Sequence, residues 1–169
     1  MNAPELTRLL EGNARFAANT PDQPPENLLP QLVAGQHPFA AVFACADSRV
    51  APEIIFNQPL GAIFTVRTAG HVIDDAVIAS LEYAVDTLGV GLVAVVAHEN
   101  CGAVKAALAA PASGMLAQAI APVVTDANRT GADVERAHAR ETARLLATRL
   151  NAPVRALRYS LSTGKTEVL

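Results

Sequence analysis

Apolar residues recur along this chain in two periods, and the alternation between them predicts the architecture. Residues 4–18, PELTRLLEGNARFAA, place Leu6, Leu9, Leu10 and Phe16 on one helical stripe. The segment that follows, NTPDQPPENLLPQLVAGQHP, is rich in proline and polar side chains and reads as an extended arm. A helix carried on such an arm is not expected to fold over its own core alone and is expected to wrap a partner subunit. FAAVFA (39–44), AIFTV (62–66) and LVAVVA (92–97) read as buried strands. The third is apolar throughout and is expected to be covered on both faces.

Helical patterns separate these strands. In VIDDAVIASLEYAVDTLG (72–89), Val77, Ile78, Leu81, Ala84, Val85 and Leu88 form a single stripe. Asp74 or Asp75 suits the start of that helix and Gly89 its end. CGAVKAALAA (101–110) opens another helix, and ADVERAHARETARLLATRL (132–150) is a long one. Residues 110–124, with prolines at 111 and 122, are expected to be irregular with short helical pieces. VRALRYSL (154–161), STGK and TEVL form a terminal hairpin. Strands alternating with helices predict an α/β fold with a mostly parallel central sheet. The expected organisation is one domain over 1–169, with a helix and arm to residue 37 and the core from 38 onward.

Composition narrows the function classes. The chain has 169 residues, 51% hydrophobic and 17% charged, a balance that opposes disorder. The net charge of −3 and the absence of a basic tract argue against nucleic acid as the main partner. No apolar run approaches the ~20 residues that span a bilayer. MNAPELTRLL has no basic flank leading into an apolar core, so a cytoplasmic protein without a membrane partner is expected. Two cysteines, Cys45 and Cys101, are too few for a disulfide scaffold.

The candidate chemistry lies where two strands end. In open parallel sheets ligands gather beyond the carboxyl ends of the strands. Cys45 follows the first strand and His98 the third, with Cys101 three residues beyond His98. Cys45, His98 and Cys101 together supply three ligands, and a fourth open position suits catalytic zinc. A helix beginning at Cys101 would favour its thiolate. In FACADSRVAP, Cys45, Asp47 and Arg49 alternate, so an extended backbone turns them to one side. Arg49 could then restrain Asp47, leaving the carboxylate to accept a hydrogen bond from water on the metal. Taken alone, this alternation fits a surface salt bridge equally well, and a non-catalytic zinc or redox-sensing module stays open. TGKT at 163–166 is not a phosphate loop, because Tyr159 occupies the required glycine position and no helix can follow. His37 reads as a loop residue, and His71 as either a proton-transfer group or a hydrogen-bonded loop histidine. His138, with Glu135, Arg136, Arg140, Glu141, Arg144 and Arg149, reads as part of a solvated charged helix face.

CADSRV paired with HENCG resembles the signature of the beta-class carbonic anhydrases, C-x-D-x-R followed by H-x-x-C-G. LLEGNARFA, RTAGH, LEYAVDTLGV and YSLSTGKTEVL extend the likeness over nearly the whole chain. The resemblance implies one Zn2+ per chain on Cys45, His98 and Cys101, with Asp47 and Arg49 as the catalytic dyad. It implies reversible hydration of carbon dioxide to bicarbonate and a proton by zinc-bound hydroxide. Carbonyl sulfide or carbon disulfide hydrolysis is the alternative on the same fold. Gln36, Phe64 and Tyr83 match the substrate-pocket residues of one group of the family, and Gly102 adjoins Cys101. In the second group a Trp stands where this chain has Val42, so an open zinc position is expected here despite Arg67. The family's active site lies at a dimer interface, with the Gln contributed across it, which implies a homodimer or a dimer-based tetramer. The expected sheet order is 2-1-3-4 with an antiparallel C-terminal edge strand.

Overall fold

A computed structural model describes residues 3–23, 25, 26, 28–109, 114–123 and 131–169, the side chains of 131–133 excepted. The sheet has five strands, β1 (Ala40–Cys45), β2 (Ile63–Thr68), β3 (Val93–His98), β4 (Val154–Tyr159) and β5 (Thr166–Val168). Their order is β2-β1-β3-β4-β5, with β5 antiparallel to β4 and the other neighbours parallel. This is the expected order. β1 and β3 are buried at every residue, because helices cover both sides of the sheet. Alternate side chains of β1 feed two separate cores. Ala41 and Phe43 pack with Val77, Leu81, Ala139 and Leu146, while Ala40, Val42 and Ala44 pack with Leu6, Leu9, Ile55 and Phe56.

The helices are α1 (Pro4–Ala17), α2 (Leu28–Val33), α3 (Pro52–Ile55), α4 (Asp75–Glu82), α5 (Gly102–Ala109), α6 (Met115–Ile120) and α7 (Gly131–Ala147). Asp74 caps α4 by accepting the Val77 N–H at 2.8 Å, at the start expected for Asp74 or Asp75. It continues into a π turn, Tyr83–Thr87. The short helices α2 and α3 carry too few residues for a periodic signal and were not expected. Residues 114–123 are two short helical pieces, as expected, whereas 110–113 and 124 lie outside the described residues.

Two expectations are corrected. First, α1 packs on the core of its own chain, with Leu6 and Leu9 buried under β1 and against α3. Gly12 permits the contact, since a side chain there would collide with the carbonyl of Phe56. Buried Asn13 then joins three backbone groups: its amide donates to Ile55 O and Gly164 O, each at 2.9 Å, and its oxygen accepts Thr166 N–H at 2.7 Å. Second, the inner face of α7 is not charged and solvated throughout. Glu135 and His138 are buried on it, 2% and 6% exposed, beside Ala139, Thr142 and Leu146.

Asn13→Ala strands those backbone groups in a dry contact. It is expected to lower stability by about 1–3 kcal/mol, read as a fall in the urea midpoint with an unchanged m-value.

Candidate metal centre

The strand order fixes where a site can form. β1 leads to β2 on one side and, through β2, to β3 on the other, so the crevice between the carboxyl ends of β1 and β3 is the switch point of the sheet. β1 and β3 each run one residue further than their apolar segments, making Cys45 and His98 the last residues of their strands. After His98 the chain turns through Glu99 and Asn100, the latter with φ of 56°, and delivers Cys101 to the start of α5. The ligand atoms of Cys45, His98 and Cys101 all lie within 4.8 Å of one another, and all three residues are buried. Both cysteines are free.

The donor set fits a metal ion. His98 Nδ1 lies 3.0 Å from the carbonyl of Glu99, which places the ring proton on Nδ1 and leaves the Nε2 lone pair available. Nε2 is buried without a hydrogen-bond partner. A buried unpaired acceptor beside two sulfurs is costly without a cation. The neighbouring Cys101 thiol, ahead of His98 and the backbone of Asp47 and Gly70, pulls the Cys45 thiol well below its ordinary value despite burial. The Cys45 sulfur and burial in turn push the Cys101 thiol upward. The N–H of Gly70, held at φ of 63°, donates to Cys45 Sγ at 3.2 Å.

Asp47 stands beside this set, its Oδ2 3.7 Å from His98 Nε2. Arg49 grips it with Nε on Oδ1 at 2.9 Å and Nη2 on Oδ2 at 2.7 Å, and the Arg49 N–H adds a third bond at 3.0 Å. These bonds hold the Asp47 carboxyl well below the usual carboxylate range. Arg67 had no assigned role beyond its match to the second family group. Its Nε donates to Cys45 O at 3.0 Å and its Nη2 to Asp47 O at 2.6 Å, clamping the backbone that carries both side chains.

The structure does not bring every candidate to this spot within one chain. Gln36 is exposed ahead of β1, at the end of the strand opposite Cys45, and a six-residue strand spans ~17 Å. Phe64 pairs in register with Ala41, four residues below the Cys45–Thr68 level, or about 13 Å. Phe64 does meet Tyr83, with ring centroids 6.2 Å apart. Gly102 is exposed at the start of α5. His71 is not the hydrogen-bonded loop histidine expected: it is buried, both ring nitrogens unpartnered among the described residues, with its ring 4.4 Å from that of His138. Glu135 and His138 were misread as solvated. Their signal is the stripe Ala139, Ala143 and Leu146, whose helical period runs back through both. His37 is exposed, as a loop residue should be.

Fold and site define an α/β protein with a buried set of two cysteines and one histidine, able to hold a metal ion, at the switch point of a parallel sheet. The family model described as carbonic anhydrase matches residues 40–164. Carbonic anhydrase 2 of Mycobacterium tuberculosis is 48% identical over 158 residues, covering 85% of this chain and 76% of that protein. The carbonic anhydrase of Mycolicibacterium smegmatis is 55% identical over 104 residues, covering 60% and 50%. Among solved structures, a Coccomyxa beta-carbonic anhydrase in complex with acetazolamide superposes with a TM-score of 0.75 at 23% identity, covering 99% and 87%. One of two tetrameric beta-carbonic anhydrases from Sordaria macrospora gives 0.71 at 20%, covering 99% and 98%. This chain belongs to the beta-carbonic anhydrase family.

Two outcomes test the geometry. Arg67→Met is expected to cost about 1–3 kcal/mol in chemical denaturation, with Arg67→Lys restoring at most one of the two bonds. Because the folded Asp47 value is depressed, its stabilisation is present above the unfolded value near ~3.9 and is lost only as pH falls through the lower folded value. Carboxyl-carbon NMR should therefore show Asp47 ionised throughout mildly acidic pH, with its midpoint raised in Arg49→Met.

Proposed function

We propose that this chain is a zinc enzyme that reversibly hydrates carbon dioxide to bicarbonate and a proton. The observation that carries the reading is the buried Cys45, His98 and Cys101 set, its ligand atoms within 4.8 Å, with ionised Asp47 restrained alongside. A zinc ion held by these three residues supplies Lewis acidity and an acidified water as the nucleophile. Cys45 and Cys101 balance the charge of the ion, and His98 presents Nε2 because Glu99 O fixes its tautomer. Asp47 supplies an acceptor beside His98 that orients the attacking water and takes up its hydrogen bond. Arg49 keeps Asp47 at that station and away from direct ligation, since leaving it breaks a two-pronged ion pair. Gly102, exposed beside Cys101, leaves room for a substrate oxygen.

A second copy completes the pocket. Gln36, Phe64 and Tyr83 lie toward the opposite end of the strands from Cys45, so they serve the centre of a partner rather than their own. Tyr83 is 46% exposed, and α2 leaves Leu29 and Val33 69% and 87% exposed, an apolar surface suited to such a contact. The reading is thus a homodimer or a dimer-based tetramer, acting in the cytoplasm on carbon dioxide and bicarbonate without nucleic acid or membrane. Among the described residues no helix is long and apolar enough to cross a membrane.

Metal analysis of the purified protein should give one zinc per chain, lost in Cys45→Ser. Stopped-flow hydration should show carbon dioxide turnover that rises toward alkaline pH, because two anionic sulfurs make the zinc water less acidic than the ~7 of an all-imidazole site. Asp47→Ala should lower kcat about 10²–10⁴-fold with zinc retained. Zinc-loaded protein inactive on carbon dioxide at every pH, or active only on carbonyl sulfide or carbon disulfide, would overturn the proposal. A fully active monomer on size exclusion would remove the shared pocket.

A further inference from the structure

Helix α7 turns two polar side chains into the protein, and each ends on backbone that serves one of the two cysteines. Glu135 and His138 are three residues apart, so they share a face of the helix. Glu135 Oε1 accepts the Cys101 N–H at 3.0 Å. Cys101 O already accepts Lys105 N–H at 3.0 Å, opening α5, so the Cys101 N–H is a helix-start donor with no partner inside that helix. The other Glu135 oxygen is held by Arg158 from β4, Nε at 3.3 Å and Nη2 at 3.2 Å, which prevents the carboxylate from rotating away. His138 Nε2 lies 2.9 Å from Gly70 O, and the N–H of that same Gly70 caps Cys45 Sγ at 3.2 Å. Gly70 has little freedom to adjust, since even a methyl group there would press on Ala103.

The geometry points to Glu135 and His138 as positioning residues of the metal centre. Glu135 fixes where Cys101 presents its sulfur, and His138 fixes the N–H that the Cys45 sulfur accepts. Two thiolates, one at the end of a strand and one at the start of a helix, must converge on one ion, and these contacts fix a backbone N–H at each of them. One helix face sets both, so α7 serves as a strut for the site from outside it. Polar partners behind ligands of this kind typically change metal affinity 10–100-fold when removed. This inference rests on the reading of Cys45, His98 and Cys101 as zinc ligands.

The test uses the zinc-loaded full-length protein and measures how fast a chromogenic chelator strips the metal, with thermal melts alongside. Glu135→Ala and His138→Leu are expected to lose zinc roughly 10–100-fold faster than wild type. Glu135→Gln keeps an acceptor oxygen for Cys101 N–H and should stay within about threefold. In the cobalt(II)-substituted protein, the Ala and Leu variants should shift the thiolate-to-cobalt charge-transfer band, a change that loss of helix packing alone would not produce. Arg140→Gln, on the exposed face of α7, should match wild type in both readouts. Wild-type metal retention and an unshifted cobalt band in Glu135→Ala and His138→Leu overturn the inference. So does a loss in Glu135→Gln as deep as in Glu135→Ala, which would assign the effect to the Arg158 ion pair. If Glu135→Ala does not fold, Glu135→Gln and His138→Leu decide the matter, the first by retaining zinc and the second by losing it. A wild-type chain that takes up no metal overturns the underlying reading, and this one with it, whereas equal retention across variants overturns this one alone.

Discussion

The pairing of β1 with β3 is the constraint on which the site depends. Ala41 lies opposite Val93 and Ala44 opposite Val96, so β3 ends one residue beyond β1 and Cys45 and His98 meet at one crevice. Side chains alternate with a period of two, and a one-residue slip would turn His98 to the wrong face. The register is protected because both strands are buried on both sides, where a slip would misplace core side chains at every position. Small residues make that burial possible: Ala40, Ala41, Ala44, Ala94 and Ala97 let helices approach the sheet closely enough to exclude water. The same exclusion makes the His98 Nε2 lone pair expensive to leave unpaired, so core packing itself favours a cation at this spot.

Around that crevice the protein gathers polar groups that a purely hydrophobic core would omit. Arg67, Gly70, Glu135 and His138 each end on backbone or sulfur at the rim of the site, and each comes from a different part of the chain from the ligands. His71 is the outlier. It takes a positive φ of 44°, packs edge-on against Phe43 and beside His138, and leaves two ring nitrogens without partners. Burial holds it neutral, well below the ordinary histidine value. Each unpaired nitrogen costs on the order of 1–3 kcal/mol. The neighbouring positive-φ Gly70, which places its N–H on Cys45, is the feature this strained corner preserves.

Local pattern was a good guide to the sheet and a poor one to the outer layer. The strands were legible because long apolar runs in a parallel sheet have few other places to go, and their order followed from the family likeness. The docking of α1 was not legible, because its stripe states that one face is buried without stating against what. Gly12 and Asn13 decide that: one removes a side chain at the contact with Phe56, and the other bonds Ile55, Gly164 and Thr166 across the seam. Glu135 and His138 were misread because a glutamate and a histidine on a charged helix normally face water, and only a partner distant in sequence makes their burial tolerable.

The sequence by itself determined the candidate site, Cys45, Asp47, Arg49, His98 and Cys101, because two short motifs carry all five residues and each motif holds its members within a few residues. It also determined that the fold would present those motifs at strand ends, since each follows an apolar run. Tertiary structure decided what no local spacing could encode. It closed the three ligand atoms to within 4.8 Å, and turned Arg67 from a pocket residue into a clamp on the Cys45–Asp47 backbone. It also set Gln36 and Phe64 toward the opposite ends of their strands from Cys45. The physical reason is that contacts between residues far apart in sequence depend on sheet register and helix docking, which the whole chain fixes together.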